Sequence, residues 1–215
     1  MGIDQVTSKL AATLRPASFG QGRAPSVVDR FGVWLSARQI RRFIPSFQGK
    51  HIADLGCGFQ AAFTRSVLDE VSRAVLVDIA VADDLKNHPK VQIIQGGLPE
   101  SLHGLPDHSL DAVLIVSVLE HLWQPLDTLK EIRRLLRPSG ICLVNVPSWR
   151  GKRYLELSAF QLGLSPAAEM DDHKMYYDPR DLWPLLVQAG FLPSEIRCFS
   201  HKLGLNTFAA CRLKG

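Results

Sequence analysis

Short runs of apolar residues separated by helix-like segments make up the chain from position 51 onward. The five runs HIADLG, AVLVDI, VQIIQG, LDAVLIV and GICLVNVP are rich in Val, Ile and Leu and apolar on both faces, which is typical of strands buried on both sides of a sheet. Helical patterns lie between them, near 60–70, 82–87 and 119–136. Strands that alternate with helices at this spacing predict an α/β fold, with an open parallel sheet and helices on both faces.

Two further helices are predicted outside this region. Residues 26–44 place apolar side chains along roughly one helical face, with Ser26 as the N-cap and Pro45 as the residue that ends the helix. Residues 178–191 predict a second helix, with Asp178 as its cap.

The stretch 149–177 has no strand pattern. Insertions of this length inside a compact domain are usually lids or binding loops, so we expect it to contribute to a functional site. Two closing strands are predicted beyond it, near 194–200 and 206–213.

Composition and charge narrow the class of protein. The chain has 215 residues, 46% of them hydrophobic, and a formal net charge of only +4, which does not indicate a nucleic-acid partner. No apolar run approaches the roughly 18 residues of a membrane span, and the first residues lack a signal-peptide pattern. The cysteines have neither zinc-site spacing nor a disulfide pattern; they are Cys57, Cys142, Cys198 and Cys211. A cytoplasmic protein without a membrane span is predicted.

A glycine-rich turn is the sharpest motif in the chain. Gly56 and Gly58 follow a predicted strand and precede a predicted helix, where glycines allow a tight turn and a close approach of the ligand to the backbone. With Ala61 they also satisfy the relaxed dinucleotide fingerprint. The turn alone therefore leaves open whether the ligand is a nicotinamide dinucleotide or another adenosine cofactor.

Two acidic residues favour a ligand without a pyrophosphate. Asp54 lies two positions before Gly56, where an anion beside an anionic pyrophosphate would cost Coulomb energy, so a cationic ligand suits it better. Asp78 ends the second predicted strand, where a carboxylate accepts hydrogen bonds from ribose hydroxyls. Asp78 therefore indicates an adenosine group in the ligand but does not specify the reaction.

Together these motifs resemble the class I S-adenosylmethionine-dependent methyltransferases. The resemblance covers about residues 48–215 and includes ADLGCGFQ, VLVDIA, LDAVLIVSVLEHLWQPLDTLKEIRRLLRPSGICLVNVPS and HKMYYDPRDLWPLLVQAGF. It implies a Rossmann-like doubly wound sheet of seven strands, mostly parallel with the last strand antiparallel. It also implies an N-terminal helical cap over 1–47 and a cofactor-binding domain over 48–215, with 149–177 capping the acceptor site.

The resemblance assigns the cofactor, S-adenosylmethionine, to specific residues. Asp54 would lie near its amino group, Gly56 and Gly58 beneath it, and Asp78 on the ribose. The remaining predicted contacts are Cys57 in the same turn, Ile79 beside Asp78, Gly97 and Leu98 next to the adenine, and Ser117 and Val118 in the floor. Two positions depart from the family pattern, because Gln60 replaces a third glycine and Gly97 replaces an aspartate that contacts adenine in many relatives.

Two histidines are the candidates for acceptor chemistry. His121 follows the fourth strand, where the strands' carboxyl ends open onto the ligand crevice, and could serve as a general base or position the acceptor. His173 lies in the insertion, where relatives often carry a histidine, although a solvated loop explains it equally simply. Asp171 and Asp172 next to His173 could suggest a metal, but neighbours on one loop rarely complete a coordination shell, so no metal is predicted.

The sequence therefore predicts an S-adenosylmethionine-dependent methyltransferase that acts on an O, N or C atom of a small-molecule or sugar-like acceptor, as a monomer or homodimer. Two alternatives stay open. One is a nicotinamide-dependent oxidoreductase, which would use the same turn and Asp78. The other is a non-catalytic protein that binds an adenosyl ligand or a partner, for which the departures at Gln60 and Gly97 leave room.

Overall fold

A seven-stranded sheet forms the centre of the computed structural model, which describes residues 17–22, 26–156 and 172–215. The strand order is β3-β2-β1-β4-β5-β7-β6. The strands are β1 (His51–Leu55), β2 (Arg73–Asp78), β3 (Val91–Gln95), β4 (Leu110–Val116), β5 (Leu136–Pro147), β6 (Ile196–His201) and β7 (Asn206–Arg212). Strands β1 to β5 pair in parallel, and β7 is antiparallel to both β5 and β6. The predicted α/β fold and the antiparallel last strand are confirmed.

Helices lie along and between the strands. They are α1 (Val27–Phe43), α2 (Ala62–Arg65), α3 (Asp83–Lys86), α4 (Pro125–Leu135), α5 (Trp149–Glu156) and α6 (Pro179–Gln188). The predicted caps are present. Ser26 and Asp29 form a capping box at α1, and Asp178 caps α6 with Pro179 in its first turn. None of the helices that the structure describes is long and apolar enough to cross a membrane.

The core has two main layers, one on each face of the sheet. On one face, α4 and α6 pack Leu129, Ile132, Leu182 and Leu186 against the strands. On the other face, the end of α1 and the residues after it bury Ile40, Ile44 and Phe47 against the sheet. Because both faces are covered, the strands carry apolar residues on both sides, which explains their continuous hydrophobic runs. The predicted boundary at residue 47 stays a prediction.

The region after β4 differs from the sequence prediction. A continuous helix was expected over 119–136, but the chain forms a short 3₁₀ turn at Leu119–His121, and α4 begins only at Pro125. Proline has a fixed φ and no backbone N–H, which suits the first position of a helix and not its interior. The result is an irregular segment between β4 and α4, placed where the strands end.

The other differences concern lengths. The helices predicted near 60–70 and 82–87 are reduced to the single turns α2 and α3, and β5 begins earlier than expected, at Leu136. The middle of the predicted insertion, residues 157–171, lies outside the described residues, and so does Asp171.

Candidate active site

The carboxyl ends of β1, β2 and β4 bring the predicted cofactor residues to one edge of the sheet. Asp54 lies within β1, Asp78 ends β2, and Ser117 follows β4. Strand β1 pairs in parallel with both β2 and β4, so Asp54, Asp78 and Ser117 lie at the same edge of the sheet. In open α/β sheets this edge is where ligands bind.

Close packing in the glycine turn leaves no room for side chains. Gly56 has a φ of +65°, and a Cβ placed there would lie 2.2 Å from Cγ2 of Val118. Gly58 has a φ of +73°, and its Cβ would lie 3.3 Å from the carbonyl oxygen of Phe19. Both residues have left-handed backbone conformations that favour glycine. The turn thus needs glycine for its conformation and for the close approach of Val118.

Asp78 holds the turn through its carboxylate. One carboxylate oxygen accepts a hydrogen bond from the backbone N–H of Gly58, and the other accepts one from the N–H of Ile79, each at 2.8 Å. The carboxylate is therefore fixed beside the glycine turn. Each oxygen retains acceptor capacity for a further donor, such as a ribose hydroxyl.

The carboxylate of Asp54 is buried and accepts a hydrogen bond from the Thr64 hydroxyl at 2.7 Å. Burial raises the pKa of Asp54 to about 6; the hydroxyl opposes this change, and the negative charge of Asp78 adds to it. A cationic group nearby would stabilise the ionised form. Asp54 therefore fits the amino group of S-adenosylmethionine better than a phosphate.

Cys57 lies between the two glycines and is half-buried. Burial raises the pKa of its thiol, and the nearby charges of Asp54 and Asp78 raise it further. The thiol therefore stays protonated near neutral pH and is not a nucleophile. In the predicted cofactor site, Cys57 would therefore contribute by packing and not by chemistry.

The loop after β3 joins the same edge. The N–H of Gly96 donates to the carbonyl of Asp78 at 3.2 Å, which brings Gly97 and Leu98 next to the end of β2. Leu98 packs against the main hydrophobic core. The position therefore suits the predicted adenine contacts, which would come from backbone groups and apolar surface.

The residues predicted for the floor of the cofactor site lead directly to His121 and His173. We refer to the region around these two histidines as the acceptor end, after its predicted role. Ser117 has a φ of +56°, and its N–H donates to the carbonyl of Asn145 at 2.7 Å. Val118 contacts the glycine turn, and its carbonyl accepts a hydrogen bond from the N–H of His121 at 2.9 Å. One residue thus connects the glycine turn with the first candidate histidine.

His121 and His173 lie together although they are distant in sequence. Their ring centroids are 4.7 Å apart. Nδ1 of His121 lies 3.0 Å from a carboxylate oxygen of Asp172, and Nδ1 of His173 lies 2.9 Å from the hydroxyl of Tyr176. The N–H of Lys174 also donates to the carbonyl of Glu120 at 2.7 Å, which fixes the 172–177 segment to the 3₁₀ turn. Sequence reasoning named the two histidines separately and did not predict their contact.

Lys202 is a further charged residue at this end, and sequence reasoning missed it. It follows β6, and its Nζ lies 3.7 Å from the position that a Cβ on Gly32 of α1 would take. Burial lowers the pKa of Lys202 to about 8, and the negative charge of Glu120 opposes this change. Nothing in the local sequence distinguishes this lysine from others, because its burial comes from contacts with distant elements.

Aromatic residues border the acceptor end. The indole N–H of Trp149 donates to Asp181 at 3.1 Å, and its ring lies 5.6 Å from that of Tyr176. The amine of Lys152 lies 5.9 Å from each of these two rings. The start of α5 thus lies beside Tyr176, which contacts His173; that 149–177 caps an acceptor site stays a prediction.

The sheet order, the antiparallel β7 and the glycine turn at the carboxyl ends define a Rossmann-like fold. A family model described as a methyltransferase domain matches residues 53–144. A curated relative from Mycobacterium tuberculosis, named "Probable S-adenosylmethionine-dependent methyltransferase", is 28% identical over 192 residues. The match covers 85% of this chain and 65% of that relative.

Solved structures of methyltransferases share the fold. A SAM dependent methyltransferase from Archaeoglobus fulgidus aligns with a TM-score of 0.60 at 19% identity, over 83% of this chain and 93% of that one. The 1,6-didemethyltoxoflavin-N1-methyltransferase of Burkholderia thailandensis, solved with S-adenosylhomocysteine, has a TM-score of 0.61 at 16% identity and covers 98% of this chain and 88% of its own. The chain is thus similar over most of its length to S-adenosylmethionine-dependent methyltransferases, and it spans 65% of the length of the mycobacterial relative it matches.

Proposed function

We propose that the protein transfers the methyl group of S-adenosylmethionine to an O, N or C atom of a small-molecule acceptor. The observation that carries the proposal is the connection through Val118. This residue packs on Gly56 of the glycine turn and also binds the N–H of His121. A methyl donor on the turn would therefore lie beside the histidines, which is the arrangement that direct transfer needs.

The cofactor site has a residue for each polar part of S-adenosylmethionine. Asp54 would bind the amino group and Asp78 the ribose hydroxyls, while Gly97 and Leu98 would contact the adenine. The bound cofactor supplies an electrophilic methyl group on a sulfonium. The glycine turn and the floor residues Ser117 and Val118 hold the ligand in place, so much of the rate enhancement would come from orientation in a pocket that excludes water.

The histidines would orient the acceptor and remove its proton where the reaction requires this. Asp172 is in contact with Nδ1 of His121, which favours the tautomer whose Nε2 can accept a proton. Tyr176 contacts Nδ1 of His173 in a similar way. The aromatic border at Trp149 and the amine of Lys202 would then contribute to the choice of acceptor.

Calorimetric titration tests the proposal directly. The wild-type protein is titrated with S-adenosylmethionine, S-adenosylhomocysteine and reduced nicotinamide dinucleotide, and compared with Asp78→Ala. We expect the adenosyl ligands to bind the wild type and to bind the variant at least about tenfold more weakly, because charge-assisted hydrogen bonds are lost. Asp83→Ala is the matched control, since the Asp83 side chain is 93% exposed.

Two outcomes would overturn the proposal. Binding of the dinucleotide without the adenosyl ligands would favour the oxidoreductase alternative. Binding of S-adenosylhomocysteine without turnover across a broad panel of acceptors would favour the non-catalytic alternative.

A further inference from the structure

Three side chains that can bind a metal ion meet at the acceptor end. One ligand atom from each of Glu120, His121 and His173 lies within 4.8 Å of the other two. Glu120 is 1% exposed, and the side chain of His121 is 13% exposed. The cluster is therefore an enclosed group and not a chance arrangement of surface residues. We refer to these three residues as the histidine cluster.

The histidine cluster draws on two segments that the backbone holds together. Glu120 and His121 come from the 3₁₀ turn after β4, and His173 comes from the 172–177 segment. The carbonyl of Glu120 accepts hydrogen bonds from the N–H groups of Lys174 and Met175, at 2.7 and 3.3 Å. The sequence predicted no metal because neighbours on one loop rarely complete a coordination shell. The structure supplies the second segment that this argument lacked.

The donor set identifies the class of ion. Imidazole nitrogens suit Zn²⁺, Fe²⁺ and other first-row transition metals, whereas Mg²⁺ and Ca²⁺ prefer oxygen ligands. With bonds of about 2.1 Å, ligand atoms around a tetrahedral ion are about 3.4 Å apart. Ligand atoms up to 4.8 Å apart would need to approach one another by up to about 1.4 Å to reach this spacing. Three protein ligands also leave a coordination position open, as in catalytic sites.

A second layer of contacts orients both imidazoles. Asp172 contacts Nδ1 of His121 at 3.0 Å, and the Tyr176 hydroxyl contacts Nδ1 of His173 at 2.9 Å. Histidines that bind a metal through one nitrogen commonly hydrogen-bond a carboxylate or another polar group through the other. By this pattern, the Nε2 atoms would be the ones to bind an ion.

We propose that Glu120, His121 and His173 bind a divalent transition-metal ion that coordinates the acceptor. Metal binding itself does not depend on the proposed function; the role of the ion does, since it rests on methyl transfer. The ion's open position would hold an acceptor oxygen or nitrogen in line with the methyl group. The histidines would then act on the acceptor through the ion.

Cobalt absorption and calorimetry test this site. The full chain is treated with a chelator and titrated with Co²⁺, read by visible absorption, and with Zn²⁺, read by calorimetry. We expect one equivalent to bind, and His121→Gln and His173→Gln each to weaken the affinity by at least about tenfold. His103→Gln, at an exposed position outside the site, should leave it unchanged.

The design separates this inference from the proposed function. Each variant is also titrated with S-adenosylhomocysteine, whose binding shows that the fold and the cofactor site are intact. Absence of a Co²⁺ signal in the wild type, or wild-type affinity in both histidine variants, would overturn the metal site even if S-adenosylhomocysteine binds. Asp172→Asn removes the negative charge beside Nδ1 of His121 and beside the amine of Lys174 while keeping all three proposed ligands, and we expect about tenfold weaker Co²⁺ binding with the stoichiometry retained.

Discussion

The two ends of the candidate site are built in different ways. The predicted cofactor end consists of a backbone turn, with Gly56 and Gly58 directly after β1 and Asp78 at the end of the neighbouring β2. The acceptor end is assembled from side chains of distant segments, such as His121 and His173. The first end depends on main-chain conformation, whereas the second depends on how loops are placed. Recognition of a shared cofactor and of a particular acceptor can therefore change independently.

Substitution of Gly56 should have the largest effect, which is a loss of cofactor affinity. In Gly56→Ala, the new Cβ would meet Val118 at 2.2 Å, and alanine is strained at a φ of +65°. Strain and overpacking together cost about 3 kcal/mol, so we expect at least about a 100-fold loss of S-adenosylhomocysteine affinity by calorimetry. Gly104→Ala is the control, because nothing lies within 4 Å of its Cβ position. Unchanged affinity in Gly56→Ala would show that the turn does not hold the ligand.

Substitution of the histidines should separate the two ends. With any acceptor that supports turnover, His121→Ala and His173→Ala should lower kcat by about 10- to 100-fold, since both lose a group that orients or deprotonates the acceptor. The affinity for S-adenosylhomocysteine should stay within about twofold, because neither side chain belongs to the cofactor end. Steady-state kinetics beside calorimetry checks both values. A matching loss of cofactor affinity would mean that the ends are coupled.

The smallest effect is expected from pH at the cofactor end. Burial raises the pKa of Asp54 to about 6 in the ligand-free protein, and a bound ammonium group would lower it. Above that pH the carboxylate is already ionised. Below it a proton must leave first, so the affinity for S-adenosylhomocysteine should fall by up to about tenfold per pH unit. Calorimetry between pH 5 and 7.5 measures this slope, at about one-unit steps.

Asp54→Asn is the control for the pH effect. It should bind more weakly at pH 7.5 and show little dependence on pH over the same range, at the level of about twofold. A group whose pKa is raised in the folded state costs stability above that pKa, and this cost disappears as the pH falls toward the unfolded value of 3.8. The variant should therefore melt at a higher temperature than the wild type at pH 7.5. If the affinity of both proteins changes equally with pH, Asp54 is not the group that causes the pH dependence.

The difference between the two ends of the site also explains which features could be predicted from the sequence. The strands and the glycine turn could be predicted because their signals are local: apolar runs, caps such as Ser26, and the spacing of Gly56 and Gly58. Asp54 and Asp78 could be placed because each belongs to a predicted strand. The break between β4 and α4 was missed, although Pro125 marks it, since the apolar pattern continues across the irregular segment.

The acceptor end could be predicted only in part. The two histidines were found because imidazole is distinctive near neutral pH. Their contact, the pairing of His121 with Asp172 and the burial of Lys202 depend on which loops meet in space. Local sequence patterns do not predict contacts between distant loops. The proposed metal site depends on the same contact between distant loops.

The position of β7 has a consequence for how the chain is made. Among the strands that the structure describes, β6 pairs only with β7, and β7 lies between β6 and β5. Strands β1 to β4, which carry the glycine turn, can pair progressively as the ribosome releases them. Strand β6 must wait until the chain has been synthesised past residue 212. During translation, the cofactor end can therefore form on the emerging chain, whereas the β6 edge that leads to Lys202 is completed last.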